Sequence, residues 1–510
     1  MVRLDASTLD SALGAVKRHG YSDFFPEPPE FHLVIANWPD LRAYLANVDL
    51  DTYEGYDRIT IFAPKSRLNI RRVTLLHPFD LSLYTGLVLA LRDDINASRL
   101  PRRPRRLFSY RADNAKAEAL YSDSPSFTEF REEIARRAEK PKHSFVGITD
   151  IADFYARLYQ HRLVNALQAA TGSGKEGYIR VLGKMLSRFS DGVSYGIPIG
   201  PPASRPLAEA ALIDVDSTLI SYGIDFIRYS DDFVIFSADP DGAEYGIRIL
   251  GETLFQNHGL TLQTAKTRLL DIEDYVEQYL TPHSEKEAER RKLLELVGQY
   301  DDAVPYDELD DDQRREVDAL NLAEMLEEAL AEDQNVDFRE VSFILGRLSA
   351  LQKPELIPIV LDNLERLYPV AHSVASFFRQ FTSLDKRTRD KVARAVLDPI
   401  LGGSRMPTEY YCIWALSLFH DHAAWNHSQE LLRVFRETNS DPIKRFAALA
   451  LATSGTRSEA IQTPKHLGCV SSLSRTAILL ATAKMGNDER KYFRQSHRLT
   501  DPLEKLCSKC

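Results

Sequence analysis

The stretch Phe226-Ile227-Arg228-Tyr229-Ser230-Asp231-Asp232-Phe233-Val234-Ile235-Phe236 sets two adjacent carboxylates between two apolar runs rich in β-branched and aromatic residues. That pattern predicts a β-hairpin turning at Ser230-Asp231-Asp232. Neighbouring carboxylates raise each other's proton affinity and resist burial unless a cation lies between them. Mg2+, which is held by one or two carboxylates together with substrate phosphates, suits such a pair. A solvated Asp-Asp turn on a surface hairpin is the alternative, and the segments around the hairpin weigh against it.

A two-metal phosphoryl-transfer site needs another carboxylate from a neighbouring strand, so that ions about 3.5–4 Å apart can be clamped. Ser144-Phe145-Val146-Gly147-Ile148-Thr149-Asp150-Ile151-Ala152-Asp153-Phe154-Tyr155 contains one. Val146 and Ile148 alternate with smaller residues, which predicts a strand ending near Asp150. Leu158, Leu163, Val164 and Leu167 fall at helical spacing, which predicts a helix from Phe154 to Leu167. Asp150 and Asp153 both lie at the junction, one a metal ligand and the other a helix cap. Between these segments, Gly196-Ile197-Pro198-Ile199-Gly200-Pro201-Pro202 leads into the alanine-rich stretch Ala203 to Leu212. Glycines let backbone approach a ligand closely, and a helix N-terminus offers N–H groups to an anion. Downstream, His258 to Thr267 carries Lys266.

Taken in order, Asp-x-x-x-x-aromatic at Asp150–Tyr155, Gly-x-Pro-x-Gly at Gly196–Gly200, Tyr-x-Asp-Asp at Tyr229–Asp232 and the Lys266 segment resemble the palm of reverse transcriptases. The resemblance assigns the metal to Asp150 rather than Asp153. It implies two Mg2+ ions, with Mn2+ as a substitute, on Asp150, Asp231 and Asp232. It puts Lys266 near the leaving pyrophosphate, as a cation or proton donor. It places Ile151, Gly200 and Tyr155 at the nucleotide. Tyr155 falls on the steric gate, where a ring under the sugar leaves no room for a 2′-hydroxyl and deoxynucleotides are preferred.

Finer details are similar to the bacterial abortive-infection (Abi) polymerases, including the prophage-encoded form. They are Ser204-Arg205 after the loop, Phe154-Tyr155-x-x-Leu158-Tyr159-x-His161 after the first aspartate, and Arg228-Tyr229 before the Asp pair. That resemblance implies untemplated synthesis from dNTPs, primed by a hydroxyl of the protein, with the single-stranded DNA product covalently attached. It also implies closed homo-oligomers and protection of cells from phage. A tyrosine is the implied primer, and Tyr21, Tyr44, Tyr53, Tyr56 and Tyr110 all lie in the N-terminal region. Ile199 stands where templated enzymes commonly carry Gln, and an apolar side chain cannot position a template strand by hydrogen bonding. A templated reverse transcriptase, or a helical scaffold with a degenerate palm, are the competing readings.

The net charge of −10 is awkward for a general nucleic-acid binder, so local basicity matters more. In Arg99-Leu100-Pro101-Arg102-Arg103-Pro104-Arg105-Arg106 the prolines keep the chain extended. Arg102, Arg103, Arg105 and Arg106 are therefore candidates for gripping DNA or a triphosphate. A run of about 18 apolar residues, as a membrane span requires, is missing, and the first residues lack the apolar core of a signal peptide. Four cysteines are too few for a disulfide framework in 510 residues, and Cys507-x-x-Cys510 has no second ligand pair close by. The expectation is a cytoplasmic protein with no membrane partner.

The predicted architecture is α+β, with reverse-transcriptase-like fingers and palm over 1–280, a charged connection over 281–315 and an all-α HEAT-like helical-repeat domain over 316–510. Phe31–Ala36 and Ile59–Phe62 read as strands and Leu81–Leu91 as a helix. Lys65, Arg67, Arg71 and Arg72 lie before that helix, where fingers commonly hold triphosphate-binding cations. Further helices are predicted at 338–351, 354–368, 388–401, 409–420, 441–455 and 472–485. Asp441 reads as the cap of the 441–455 helix and Pro442 as part of its first turn.

Overall fold

The two apolar runs flanking the Asp pair are neighbouring antiparallel strands, β4 (Asp225–Tyr229) and β5 (Asp232–Ser237), with Tyr229 opposite Asp232. The turn is shorter than predicted, because Asp232 already belongs to β5 and only Ser230 and Asp231 lie between the strands. Strand β3 (Phe145–Asp150) pairs antiparallel with β5 and, on its other side, with β6 (Arg268–Asp271). The sheet order is β4-β5-β3-β6. With helices joining β3 to β4 and β5 to β6, this is the split βαβ arrangement of a ferredoxin-like sheet. One face packs Val146, Ile227, Val234 and Phe236 against Phe108, Phe130, Ile134 and Tyr275. On the other face the helix Pro240–His258 lies close, and a Cβ on Gly147 would sit 2.7 Å from Ile247 Cδ1.

The structure is a computed structural model that describes residues 1–65, 69–112, 116–280, 310–318, 322–331, 338–351, 354–381, 384–402, 407–421, 424–497 and 499–509. Arg67, the charged segment 284–292 and most of the acidic connection lie outside the described residues. The helix Asp311–Asp318 forms the described end of that connection. The chain divides into two compact units. The first comprises Met1–Tyr21, Leu45–Tyr53 and Ser82–Leu320, and the second Ser22–Tyr44, Glu54–Leu81 and Asn321–Cys510. Two N-terminal segments therefore group with the C-terminal helices, a division that the linear domain boundaries at 280 and 316 do not describe.

In the second unit, strand β1 (Ile59–Pro64) pairs with β2 (Ile70–Leu75). The helices Phe338–Leu351, Ala371–Arg379, Glu409–Asp421, Asp441–Thr453, Ser472–Ala481 and Pro502–Cys507 pack in series, each against the next. A second row, Lys386–Gly402, Ser428–Glu437 and Arg457–Ala460, packs alongside. The cap of Asp441–Thr453 is Ser440, whose hydroxyl accepts from Ile443 N; Asp441 instead accepts from Ser471 and Ser474. The predicted 354–368 helix is shorter, a 3-10 turn Pro354–Leu356 followed by Ile357–Asp362.

Phe31–Ala36 is helical, within Pro29–Ala36, and not a strand. A short apolar run is ambiguous between the two, and the decisive signal is Pro29 in the first turn, where its fixed φ and missing N–H favour a helix start.

His77 heads the helix Pro78–Ser98 and accepts a hydrogen bond from Phe79 N through Nδ1 (3.3 Å), while its ring stacks on Tyr56 at 3.8 Å. Burial, helped by the charge of Arg445, pushes its pKa down to about 3. Between pH 6.5 and about 3 the unfolded chain takes up a proton that the folded chain refuses, so stability should rise with pH across that window. At pH 5 the penalty from this one group is about 2 kcal/mol. Melts at pH 5 and 7 should therefore differ less in His77→Asn, which keeps a capping acceptor, than in the wild type.

Candidate active site

Asp150 ends β3 and lies opposite Asp232, the first residue of β5. Side chains alternate along a strand, so this register carries both carboxylates to one face at one end of the sheet. Asp231 occupies the adjoining turn, and its carbonyl accepts from Ile151 N (3.2 Å), tying the hairpin to the end of β3. The Asp150 side chain is buried, and Asp231 and Asp232 are half-buried. Burial and then the charges of Asp232 and Asp150 raise the Asp231 carboxyl well above the usual carboxylate range. Such a shift marks a site short of positive charge.

Lys266 supplies part of it. Gln263 N donates to Asp150 O (2.7 Å), Ala152 N donates to Thr261 O (2.9 Å), and the following turn brings Lys266 Nζ to 2.5 Å from Asp150 Oδ2. Among the described residues no three acidic, His or Cys side chains are close enough together to hold an ion unaided. The donor set fits an ion of the Mg2+ kind, which takes one or two carboxylates and completes its shell with water and phosphate oxygens.

Tyr155 lies five positions after Asp150, half-buried, with its phenol hydrogen-bonded to Ser230. Burial raises its pKa well above the ordinary tyrosine value, with Arg205 opposing and Asp231 adding. The predicted 154–167 helix is broken, with Phe154–Arg157 and Gln160–Ala170 separated by extended Leu158 and Tyr159. The cause is the Gly/Pro loop, which pairs there through Gly196 N to Leu158 O (2.8 Å) and Ile197 N to Tyr155 O (2.9 Å). Gly196 and Gly200 both have positive φ, and a Cβ on Gly196 would meet Ala156 O at 3.1 Å. The alanine-rich helix follows as Ser204–Ala211. Asp153 stands at the N-cap of Phe154–Arg157 with φ 48°, exposed, and its side chain makes no capping bond. The Ile151 side chain is buried and its residue bridges to Leu262.

The other predicted residues divide. Lys65, Arg71 and Arg72 belong to the β1–β2 region of the second unit, where Arg71 lies 5.5 Å from the Phe24 ring centre. Of the arginine run, Arg105 pairs with Glu129 (2.5 Å) and covers Phe108. Arg106 bonds Asp225 (3.0 Å) and the Phe226 carbonyl (3.0 Å), and Arg102 donates to Ala112 O. Arg103 is exposed. Asp225 gathers Arg106, Arg137, Lys142 and His143. Burial works against that carboxylate, but Arg137 foremost, with Lys142 and Arg106, holds it below its usual range. Much of the run's charge is thus used inside the first unit.

Of the five tyrosines, Tyr21 is buried, Tyr44 is exposed, and Tyr56 is committed to Asp501 and the His77 ring. Tyr53 lies beneath the Arg188 guanidinium. Tyr110, with φ 46°, has its ring 5.9 Å from Tyr229, next to the hairpin turn.

Sequence reasoning gave no role to Arg205, noted only in the Ser204-Arg205 pair. It lies between the rings of Tyr110 (5.3 Å) and Tyr121 (5.5 Å) and bonds the Tyr121 hydroxyl. It also missed Glu209 and Asp216, which pair with Arg228, and Ser109, which donates to Glu209. The available signal was an arginine in the middle of a buried strand, since a buried charge must find partners.

No protein-family model and no curated protein matches the sequence. Among solved structures, a telomerase from Candida albicans in complex with a fragment of telomeric RNA aligns with 82% of this chain and 71% of its own, at 12% identity and a TM-score of 0.34. An apo telomerase from Candida tropicalis aligns with 82% of this chain and 74% of its own, at 12% identity and a TM-score of 0.32. Likeness at this level does not identify a function.

Proposed function

We propose that this chain is a DNA polymerase that joins deoxynucleotides by phosphoryl transfer, with β3–β6 as its palm. The observation that carries the reading is the register of Asp150 against Asp232, with Asp231 in the turn and Lys266 on Asp150. Mg2+, or Mn2+ in its place, held by Asp150, Asp231 and Asp232 would activate the attacking hydroxyl and stabilise the pyrophosphate leaving group. The hydroxyl oxygen bonds the α-phosphorus as the bond to pyrophosphate breaks. Lys266 offers a cation beside Asp150 for the charge that develops on the leaving group. Tyr155, five positions after Asp150, would be the ring that excludes a 2′-hydroxyl.

We further propose the abortive-infection type of synthesis: no template, a protein hydroxyl as primer, a covalently attached single-stranded product, a homo-oligomeric assembly and an antiphage role. The motif set and Ile199 support it. Tyr110 is the priming candidate favoured by position, being in the same unit as the carboxylates and beside Tyr229.

The test is incubation of the purified chain with Mg2+ and labelled dNTPs, without template or primer, followed by a denaturing gel. Label that stays with the protein and retards it is the expected result, and mass spectrometry of nuclease-trimmed protein then locates the adduct. Label appearing only after a template-primer is added would replace this reading with that of a templated reverse transcriptase.

A further inference from the structure

Arg228 lies in the middle of β4 and is fully buried. Its Nε and Nη2 grip Asp216 at 2.7 and 2.6 Å, and its Nη1 donates to Glu209 Oε2 (2.9 Å) and to the carbonyl of Ser230 (3.1 Å). Arg99 bonds the same Glu209 oxygen and donates to the carbonyls of Ser109 (2.9 Å) and Tyr110 (3.1 Å). The other Glu209 oxygen accepts from Ser109 Oγ (2.6 Å), and Ser109 Oγ in turn accepts from Ser230 N (2.8 Å). Ser109 reaches this place because 106–108 runs beside β4, with Arg228 N donating to Arg106 O (2.8 Å) and Phe108 N to Arg228 O (3.0 Å). Both backbone polar groups of Ser230 thus end on one buried network of two arginines, two carboxylates and a hydroxyl.

Ser230 has φ 51°, a left-handed conformation that non-glycine residues rarely adopt and that persists only where the surroundings enforce it. Apolar side chains could fill the same volume at no loss of stability, since buried ion pairs are often neutral or worse against hydrophobic replacements. What the network does that an apolar core could not is hold the N–H and C=O of the residue before Asp231.

We propose that Ser109, Glu209, Asp216, Arg99 and Arg228 are positioning residues that keep Ser230 left-handed and so aim Asp231 at the reacting phosphate. The assignment rests on the polymerase reading above. Ser109→Ala is the informative variant, because it removes the bond to Ser230 N without leaving a buried charge unpaired. It should lower kcat for incorporation about tenfold with KM for dNTP nearly unchanged. Hydrogen exchange in a peptide covering 226–236 should quicken, while exchange in the helix Pro240–His258 stays as it was. Ser109→Thr, which keeps the hydroxyl, should restore both, with a thermal melt checking that the added methyl is accommodated. A merely structural role would lower the melting temperature and leave kcat of the folded protein unchanged. Unchanged exchange in Ser109→Ala, or quickened exchange with wild-type kcat, overturns the proposal. If the wild type incorporates nothing with or without template, the polymerase reading fails, and the exchange measurement alone still decides whether Ser109 holds the turn.

Discussion

Replacing Asp231 and Asp232 together with alanine is expected to abolish nucleotide incorporation, by on the order of 10³-fold or more, while leaving the melting temperature unchanged or slightly raised. The two halves of that result have separate causes. On the proposed polymerase reading, activity is lost because the carboxylates would be the groups through which a divalent cation reaches the reacting phosphate. Stability is kept because Asp231 is held next to Asp232 and Asp150, and this repulsion, added to burial, raises its proton affinity. Removing like charges that crowd one another relieves the folded state. Gel-based incorporation and a thermal melt on the same preparation check both halves. Retained incorporation in the double variant would remove the assignment, and a collapse of the melt would show the pair to be structural.

The carboxylates were legible in the sequence because the features of this sheet are local. Each lies at the end of a short apolar run, and β3 and β5 formed where Val146, Ile148, Val234 and Phe236 alternate. The register that sets Asp150 opposite Asp232 links residues far apart in the chain, and motif order anticipated it without local spacing stating it. The ion pair of Lys266 with Asp150 is a contact of the same kind, across 116 positions, that local spacing does not state. Ser109 and Glu209 were invisible for a different reason. One sits at the end of an arginine-rich stretch and the other in an alanine-rich helix, and only the fold brings them to hydrogen-bond each other beside the buried Arg228. The arginine run misled because composition cannot tell a solvated arginine from Arg106, whose guanidinium lies 5.6 Å from the Phe226 ring centre and bonds Asp225.

The N-terminal region was the least legible part of the fold. Helical periodicity located Phe338–Leu351, Lys386–Gly402, Glu409–Asp421 and Asp441–Thr453 within a few residues but did not single out Ala371–Arg379 or Ser428–Glu437, and the grouping of Ser22–Tyr44 and Glu54–Leu81 with the C-terminal helices depends on pairings across some four hundred positions, which no window of sequence contains.

Glu30→Ala is expected to destabilise the second unit by about 3–5 kcal/mol. Glu30 and Arg445 are both fully buried. They meet through two hydrogen bonds, Nη1 to Oε1 at 2.9 Å and Nη2 to Oε2 at 2.8 Å, and Thr476 Oγ1 donates to Oε1 at 2.5 Å. Burial alone would push the Glu30 carboxyl up, but the charge and hydrogen bonds of Arg445 outweigh it and the group is held below its usual range. A depressed carboxylate stabilises the fold above its ordinary pKa and loses that contribution as pH falls through the folded value, so acid should mimic the mutation. Removing Glu30 leaves the Arg445 guanidinium buried with only the Leu473 carbonyl and the Thr476 hydroxyl as hydrogen-bond acceptors. The Glu30→Leu, Arg445→Met double variant leaves no charge behind and should recover most of the loss, so the two substitutions are strongly non-additive. Urea unfolding of the full chain, followed in the single and double variants, measures that coupling. Additive losses would mean that the pair contributes by packing alone. A double variant well above both single ones would mean that each single variant loses stability by stranding a buried charge, and that apolar packing can hold the same helix in place.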